Sequence, residues 1–212
     1  MSVRAERFET QGTLLTTVAG TAALDLSVRL LATLAVTALT AVAAQVSIPL
    51  PFTPVPFTLQ PMVVLLGGAA LGARLGMLSQ VFYLALGLAG FPVFANSPLP
   101  QGALRLLGPT GGYLMSYPFA AWVTGRLAER GFDRNYRTSV LAMLAGLTVI
   151  FACGVAWLAW FTRPVPAGFG AALRTGLYPF IPADLVKVCL AAGVMPSIWA
   201  VVGRRSKPDD SH

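Results

Sequence analysis

Asp184 and Lys187 are the charged residues of this sequence whose position most needs a chemical explanation. They follow Pro179 and Pro182, which fit the first turn of a helix, and no further charge occurs until Arg204. A helix that ends shortly before Arg204 is long enough to cross a bilayer. The three-residue spacing places both charges on one face of that helix, below its outer end.

Two interpretations of this pair are open. A charge at membrane depth costs about 3 kcal/mol even on a lenient insertion scale. Lys187 could extend to the helix end beside a paired Asp184 and bind nothing. The short side chain of Asp184 cannot reach the surface, however, so it must face protein or water. This favours a polar site for a solute.

The composition defines the elements that must hold such a site. The chain has 212 residues, of which 56% are hydrophobic and 11% are charged, whereas soluble domains carry about 25% charged residues. Four stretches lack charge altogether: 30–73, 75–104, 106–125 and 138–162. We therefore predict an all-α integral membrane protein, with a membrane domain over 26-203 between cytoplasmic segments 1-25 and 204-212. The net charge is +7, and the basic residues lie in the loops between the spans in a lipid bilayer. Because membrane topology requires positive loops, no nucleic acid partner is expected.

The reactive residue types argue against an enzyme. The single histidine is His212 at the C-terminus, and Cys153 and Cys189 lack metal-ligand spacing. The two lysines, Lys187 and Lys207, do not end a Gly-x-x-x-x-Gly-Lys-Ser/Thr loop, so the chain cannot hydrolyse ATP in that way. We expect no catalytic residue, no metal site and no cofactor.

A proline-rich segment follows the first predicted helix, which runs from about residue 30 to residue 48. Five prolines between residues 49 and 61 forbid a helix there, although the segment is apolar and uncharged. Such backbone is tolerated where it is buried in protein or lines a cavity. We interpret it as a rigid lid with Thr58 and Gln60 as candidate hydrogen-bonding groups. The alternative is a stiff outer connection without a ligand role.

Residues 61–90 could form one long helix or two short ones. Glycines interrupt this stretch near Arg74, which favours two. Two helices give six spans in total, with eleven Lys and Arg residues in inner segments and three in outer ones. Five spans would place the arginines of 126–137 opposite the basic N-terminus. The charge distribution therefore predicts six transmembrane helices with both termini cytoplasmic.

Other polar and aromatic residues lie inside or at the ends of the predicted spans. Gln80, in the third span, makes either an interhelical hydrogen bond or a contact with a ligand. Tyr113 begins the fourth span, where its ring would face the same outer end as Asp184 or serve as an interfacial aromatic. Four tryptophans at span ends are interpreted as interfacial anchors: Trp122, Trp157, Trp160 and Trp199.

Small residues line the first predicted span at four-residue spacing. Thr33, Thr37 and Ala41 form one such row, and small residues at this spacing let another helix approach closely. The row could therefore dock a partner helix or simply pack inside the bundle.

Four motifs together resemble a known family: Pro49-Leu-Pro-Phe-Thr-Pro-Val-Pro-Phe-Thr-Leu-Gln60, Gly87-Leu-Ala-Gly-Phe-Pro-Val-Phe94, Gly108-Pro-Thr-Gly-Gly-Tyr-Leu114 and Pro179-Phe-Ile-Pro-Ala-Asp-Leu-Val-Lys187. They look like the BioY family, the biotin-binding S components of energy-coupling-factor (ECF) vitamin transporters, over roughly residues 25–203. The resemblance implies the six-helix ECF S-component fold in a bacterial inner membrane. It also implies three partner subunits, a transmembrane coupling protein (the T component) and two cytoplasmic ATPases that use the ATP.

The resemblance also assigns roles to residues. It implies a biotin site that contains Asp184 and Lys187, with four further contacts: Gln60, Thr58, Tyr113 and Gln80. The family's partner-docking pattern on the first span matches Thr33, Thr37 and Ala41 here. Two alternatives remain, an S component for another small vitamin and a stand-alone permease. An internal repeat would favour the permease, and none is convincing in this sequence.

Overall fold

A computed structural model of the chain describes residues 12–18, 25–96, 100–161 and 168–205. Within these ranges the chain is mainly helical. The predicted terminal segments 1-25 and 204-212 lie mostly outside the described residues. The helices and strands are, in order, α1 Leu14–Val18, α2 Leu26–Gln45, β1 Ser47–Ile48, β2 Phe57–Thr58, α3 Gln60–Leu71, α4 Ala73–Leu88, α5 Ala103–Leu107, α6 Gly111–Ala128, α7 Tyr136–Phe161, α8 Gly168–Gly176 and α9 Ile181–Arg205.

Three of the described helices are long and apolar enough to cross a membrane: α2, α7 and the Ile181–Val201 part of α9. Helices α3 and α4 are apolar but shorter. Helix α6 has 18 residues, twelve of which are buried, and it packs against α3, α4 and α7. The core of the bundle is therefore built around α6.

The proline-rich segment is non-helical, as predicted, and its ends are joined by a short ladder that the sequence did not predict. Strand β1 pairs antiparallel with β2, so that Ser47 lies opposite Thr58 and Ile48 opposite Phe57. The loop between the strands folds inward far enough to bury Val55. This arrangement brings the end of the segment over the start of α3.

Helices α3 and α4 form an antiparallel pair that reverses at Gly72, as the sequence predicted for residues 61–90. Gly72 has a φ of +83°, a conformation that glycine adopts without the steric penalty of a Cβ atom. A Cβ at Gly76 would lie 2.8 Å from the Cα of Gly68, so these glycines permit the two helices to touch. The backbone N–H of Ala73 donates to Glu129 Oε1 (2.9 Å), which places a carboxylate at the N-terminus of α4.

A second group of polar contacts lies at the same end of the bundle, where α6 and α9 end and α7 begins. Trp199 Nε1 donates to Asp133 Oδ2 at 2.6 Å, and the Arg134 guanidinium carbon lies 3.4 Å from the centre of the Trp199 ring. Trp199 and Asp133 are both buried. The prediction that Trp199 is an interfacial anchor is therefore wrong, because its indole joins α9 to the α6–α7 loop. We call this end of the bundle the distal end.

Candidate binding site

The pair predicted from the sequence forms within the first two turns of α9. Lys187 Nζ donates to Asp184 Oδ1 at 2.6 Å and to the backbone carbonyl of Thr58 at 2.6 Å. The ammonium also lies 3.6 Å from the centre of the Phe57 ring, a favourable cation–π contact. Asp184 and Lys187 are only 5% and 7% exposed. Strand β2 and α9 are therefore joined through one buried ammonium group.

Gln60 begins α3, directly after β2, and is buried. Its Nε2 donates to the hydroxyl of Tyr83, which in turn donates to the carbonyl of Val93 at 3.1 Å. The Tyr83 ring contacts the edge of Phe94, with 5.5 Å between ring centres. Gln60 is thus held at the cavity by α4 and by the segment that follows α4.

Arg105 is a further charged residue of the site that the sequence reasoning missed. It lies in the short helix α5, is 3% exposed, and its Nε has no hydrogen-bond partner within the described part of the chain. A signal for it exists in the sequence, because Arg105 alone interrupts the charge-free residues 75–125. A lone arginine in a segment predicted to be outer also opposes the usual charge bias.

These groups surround one cavity at the end of the bundle where α6 and α9 begin. The empty space among its walls, together with the open solvent at its mouth, is about 630 Å³. Aromatic rings supply much of the lining. The described lining residues are Val55, Pro56, Thr58, Gln60, Pro61, Phe94, Ala95, Arg105, Thr110, Tyr113, Leu114, Tyr117, Ile150, Phe151, Phe180, Asp184 and Lys187.

The charges in this cavity do not balance. Among the described lining residues three are charged, and Asp184 and Lys187 neutralise each other. Arg105 is left as a buried cation without a counter-charge. Because an unpaired buried charge is costly, the cavity is suited to a ligand that carries one negative charge.

Tyr113 and Thr58 lie at the cavity, and the Tyr113 hydroxyl and the Thr58 backbone carbonyl both have partners within the protein. The Tyr113 hydroxyl donates to the carbonyl of Gly176 at 2.8 Å, which ties α6 to the end of α8. Thr58 offers its carbonyl to Lys187. The ring of Tyr113 is therefore a wall, and Thr58 positions the lysine.

Gln80 lies outside the cavity, so the predicted substrate contact is corrected to the interhelical bond that was its alternative. Its Nε2 donates to Thr40 Oγ1 at 3.3 Å and to Ser79 Oγ at 3.1 Å. Gln80 thus joins α4 to α2. Its Oε1 is buried without a hydrogen-bond partner among the described residues.

The row Thr33, Thr37 and Ala41 does not form an outward face. Thr33 and Thr37 are 0% and 2% exposed, and the Thr37 hydroxyl donates to the carbonyl of Ser79 at 2.8 Å. Ala41 is half-buried. The prediction of a docking face is wrong for the two threonines, because their hydroxyls bond to carbonyl groups of α2 and α4 and turn that face inward.

Comparison with known proteins agrees with this architecture. The sequence model of the BioY family matches residues 12–204. The chain is 44% identical over 154 residues to the Probable biotin transporter BioY of Pyrococcus horikoshii, which covers 73% of this chain and 85% of that protein. It is 41% identical over 156 residues to the Biotin transporter BioY of Thermotoga maritima, covering 74% of this chain and 86% of that protein.

A solved structure described as the S-component for biotin from an ECF-type ABC transporter has a similar fold. The TM-score is 0.70 at 28% sequence identity, and the match covers 85% of this chain and 92% of that chain. The family match includes nearly every described residue, and the cavity lies within it. The chain belongs to the BioY family.

Proposed function

We propose that this chain captures biotin as the S component of an ECF transporter. One observation carries the proposal: a partly aromatic cavity holds an unpaired buried cation, Arg105, beside a neutral pair of hydrogen-bonding charges. Biotin combines one carboxylate with a neutral cyclic urea and an apolar body. The names of the relatives and of the solved structure support the same substrate.

The two polar ends of biotin suit different groups of the cavity. The carboxylate pairs with Arg105, which can donate two parallel hydrogen bonds to it. The cyclic urea has two N–H donors and one carbonyl acceptor, which suit Asp184 and Lys187 respectively. The sulfur-containing ring and the aliphatic chain then lie against the aromatic walls. Every buried polar group of the ligand gains a partner in this arrangement.

The membrane arrangement follows from the helical hairpin and the charges. We propose six spans, formed by α2, α3, α4, α6, α7 and α9, with both termini in the cytoplasm of a bacterial cell and the cavity facing outward. The antiparallel α3–α4 pair supports two crossings there. The distal end then carries the four arginines of 126–137 and faces the cytoplasm.

Transport requires energy that this chain does not supply, since its sequence has no ATP-binding loop. We propose that a T component and two cytoplasmic ATPases provide it. Because Thr33 and Thr37 face inward, the partner helix is assigned to the exposed side of α2. Ala35 and Ala38 lie there between the exposed Leu31 and Val42, which leaves a shallow apolar surface.

The test of substrate is a calorimetric titration of the detergent-purified chain with biotin, biotin methyl ester and thiamine. We expect tight binding of biotin, binding of the ester that is at least about tenfold weaker because it lacks the charge, and no competition from thiamine. Absence of biotin binding by a folded sample overturns the function. Equal affinity for biotin and its ester would contradict only the pairing of Arg105 with the carboxylate, and biotin would remain the substrate.

The test of docking uses Ala38→Trp, with Leu39→Trp on a neighbouring exposed position as the matched control. Both variants should bind biotin as the parent does. Only Ala38→Trp should lose ATP-dependent uptake when the four subunits are expressed together. Full uptake by Ala38→Trp would exclude this side of α2 as the docking surface.

A further inference from the structure

A chain of two hydrogen bonds leads from the cavity into the protein interior. Gln60 Nε2 donates to the Tyr83 hydroxyl, and this hydroxyl donates to the carbonyl of Val93 at 3.1 Å. Tyr83 is 0% exposed and does not line the cavity, whereas Gln60 does. The hydroxyl therefore acts on the cavity only through Gln60.

The last member of the chain fixes its direction. The backbone carbonyl of Val93 can only accept, so the single hydroxyl hydrogen of Tyr83 must point to it. The Tyr83 oxygen then has lone pairs but no proton for Gln60, and Gln60 must present its amide N–H₂ to it. If the amide of Gln60 were reversed, two oxygens would face each other and one bond would be lost.

This direction determines what Gln60 shows to a ligand. One hydrogen of Nε2 is engaged by Tyr83, which fixes the amide plane with Oε1 on the opposite side, and no hydrogen bond to Oε1 occurs among the described residues. The cavity thus contains a fixed acceptor at this point. A freely rotating glutamine would accept or donate equally well.

We propose that Tyr83 is a specificity-determining positioning residue that locks Gln60 as an acceptor for a ureido N–H of the ligand. The inference rests on the proposed function, since it requires biotin in this cavity. Tyr83, which is buried outside the cavity, would thus determine whether the site prefers an N–H or an oxygen at this position of the ligand ring.

The experiment compares biotin with two analogues in which one or the other ureido N–H is replaced by a ring oxygen. The parent should bind one analogue at least about tenfold more weakly than biotin, because that oxygen meets Gln60 Oε1. Tyr83→Phe keeps the ring and frees the amide. It should bind biotin about threefold to tenfold more weakly, yet bind that analogue more tightly than the parent does. A merely structural role for Tyr83 gives no gain for any ligand.

Two further variants complete the test. Tyr136→Phe removes a hydroxyl from an exposed tyrosine at the distal end and should bind all three ligands as the parent does. Gln60→Glu offers the ligand only acceptor oxygens, because a carboxylate has no N–H to donate, so it should reject the same analogue at least as strongly as the parent. It also serves as the test if Tyr83→Phe does not fold.

Each outcome decides the inference. An analogue-to-biotin affinity ratio that stays within twofold of the parent value in Tyr83→Phe overturns it, as does relaxed discrimination in Gln60→Glu. A parent that binds biotin but discriminates against neither analogue also overturns it, while the proposed function stands. A folded parent that binds no biotin overturns the proposed function itself.

Discussion

Buried charges occur at both ends of this bundle, and they use their hydrogen-bonding groups differently. At the distal end, Asp133 accepts a hydrogen bond from Trp199, and its Oδ1 lies 3.7 Å from Arg134 Nε. The Arg134 guanidinium covers the indole ring of Trp199. Glu129 there accepts from both Ala73 and Arg126. These contacts join one helix or loop to another. Asp133 Oδ1 and Arg134 Nε have no hydrogen-bond partner among the described residues, but their opposite charges face each other.

At the cavity end, by contrast, a buried charge lies beside an empty volume without a counter-charge. Arg105 Nε has no hydrogen-bond partner among the described residues, and the amide of Gln60 lines the same cavity. Desolvation penalises the charge of Arg105 until something binds. A buried charge alone therefore does not mark a site in this protein. A buried charge that lacks a counter-charge and borders an empty volume does.

The largest expected effect comes from removing the charged pair of the cavity. Asp184→Leu together with Lys187→Met should abolish biotin binding while the chain stays folded, because a buried ion pair barely offsets its own desolvation. The carbonyl of Thr58 loses its donor, which costs about 1–3 kcal/mol of stability. Each single change should be less stable than the double variant, since it leaves one charge uncompensated.

Calorimetry and ligand-free thermal melts measure both quantities. Leu190→Met, on the exposed side of α9, is the control and should match the parent. A folded double variant that binds biotin with the parent's dissociation constant would show that this pair has only a structural role, as the charges of the distal end do.

Next in size is Arg105→Gln, which should weaken biotin about tenfold to a hundredfold through the loss of a charge-assisted hydrogen bond. The affinity for biotin methyl ester should barely change. Without ligand the variant should melt at the parent's temperature or above it, because an unpaired buried charge has been removed. Arg126→Gln, at the distal end, should leave affinity unchanged. Equal losses for biotin and its ester would mean that Arg105 does not contact the carboxylate.

The distal end should show the opposite behaviour. Trp199→Phe keeps a ring beneath Arg134 but removes the donor to Asp133, so it should destabilise the fold by about 1–3 kcal/mol. The dissociation constant for biotin should stay the same. Thermal melts and titration of one preparation test this, with Trp160→Phe at an exposed position as a near-neutral control. A changed affinity with unchanged stability would show that the two ends are not independent.

The smallest effect concerns pH. Burial raises the pKa of Asp133, and the bond from Trp199 and the charge of Arg134 only partly oppose this. A carboxyl with a raised pKa binds more protons in the folded state than in the unfolded state. Its contribution to stability therefore falls as pH rises, from the unfolded value of about 3.9 through the raised folded value. The melting temperature of the parent minus that of Asp133→Asn should shrink as pH rises to 7. A gap that widens would contradict the burial argument.

Local patterns predicted much of this molecule. The turn at Gly72 followed from glycines beside Arg74, and the contact between Asp184 and Lys187 followed from their three-residue spacing within one helix. Both features depend on residues close in the chain. The non-helical proline segment followed in the same way, because proline lacks the N–H that a helix needs.

The inward face of α2 could not be predicted as easily. In a soluble protein, apolar residues mark the face of a helix that packs against the core. Lipid is as apolar as a protein core, so this signal is lost in a membrane. Thr33 and Thr37 face inward because their hydroxyls reach carbonyl groups, one of which lies on α4. Arg105 and Tyr83 were missed as parts of the site for a related reason. Their roles depend on partners brought together by the whole fold.

The bond from Lys187 to the carbonyl of Thr58 joins residues 129 positions apart, and this has a consequence for biogenesis. Ribosomes deliver the chain from its N-terminus, so the proline-rich segment is made before the helices that follow it. The last helix brings both charges of the pair into the bilayer at once. We expect α9 to insert poorly as an isolated segment and well behind the complete chain. Glycosylation mapping of α9, alone and behind the preceding segments, would show whether the contact between Lys187 and Thr58 also completes the assembly of the bundle.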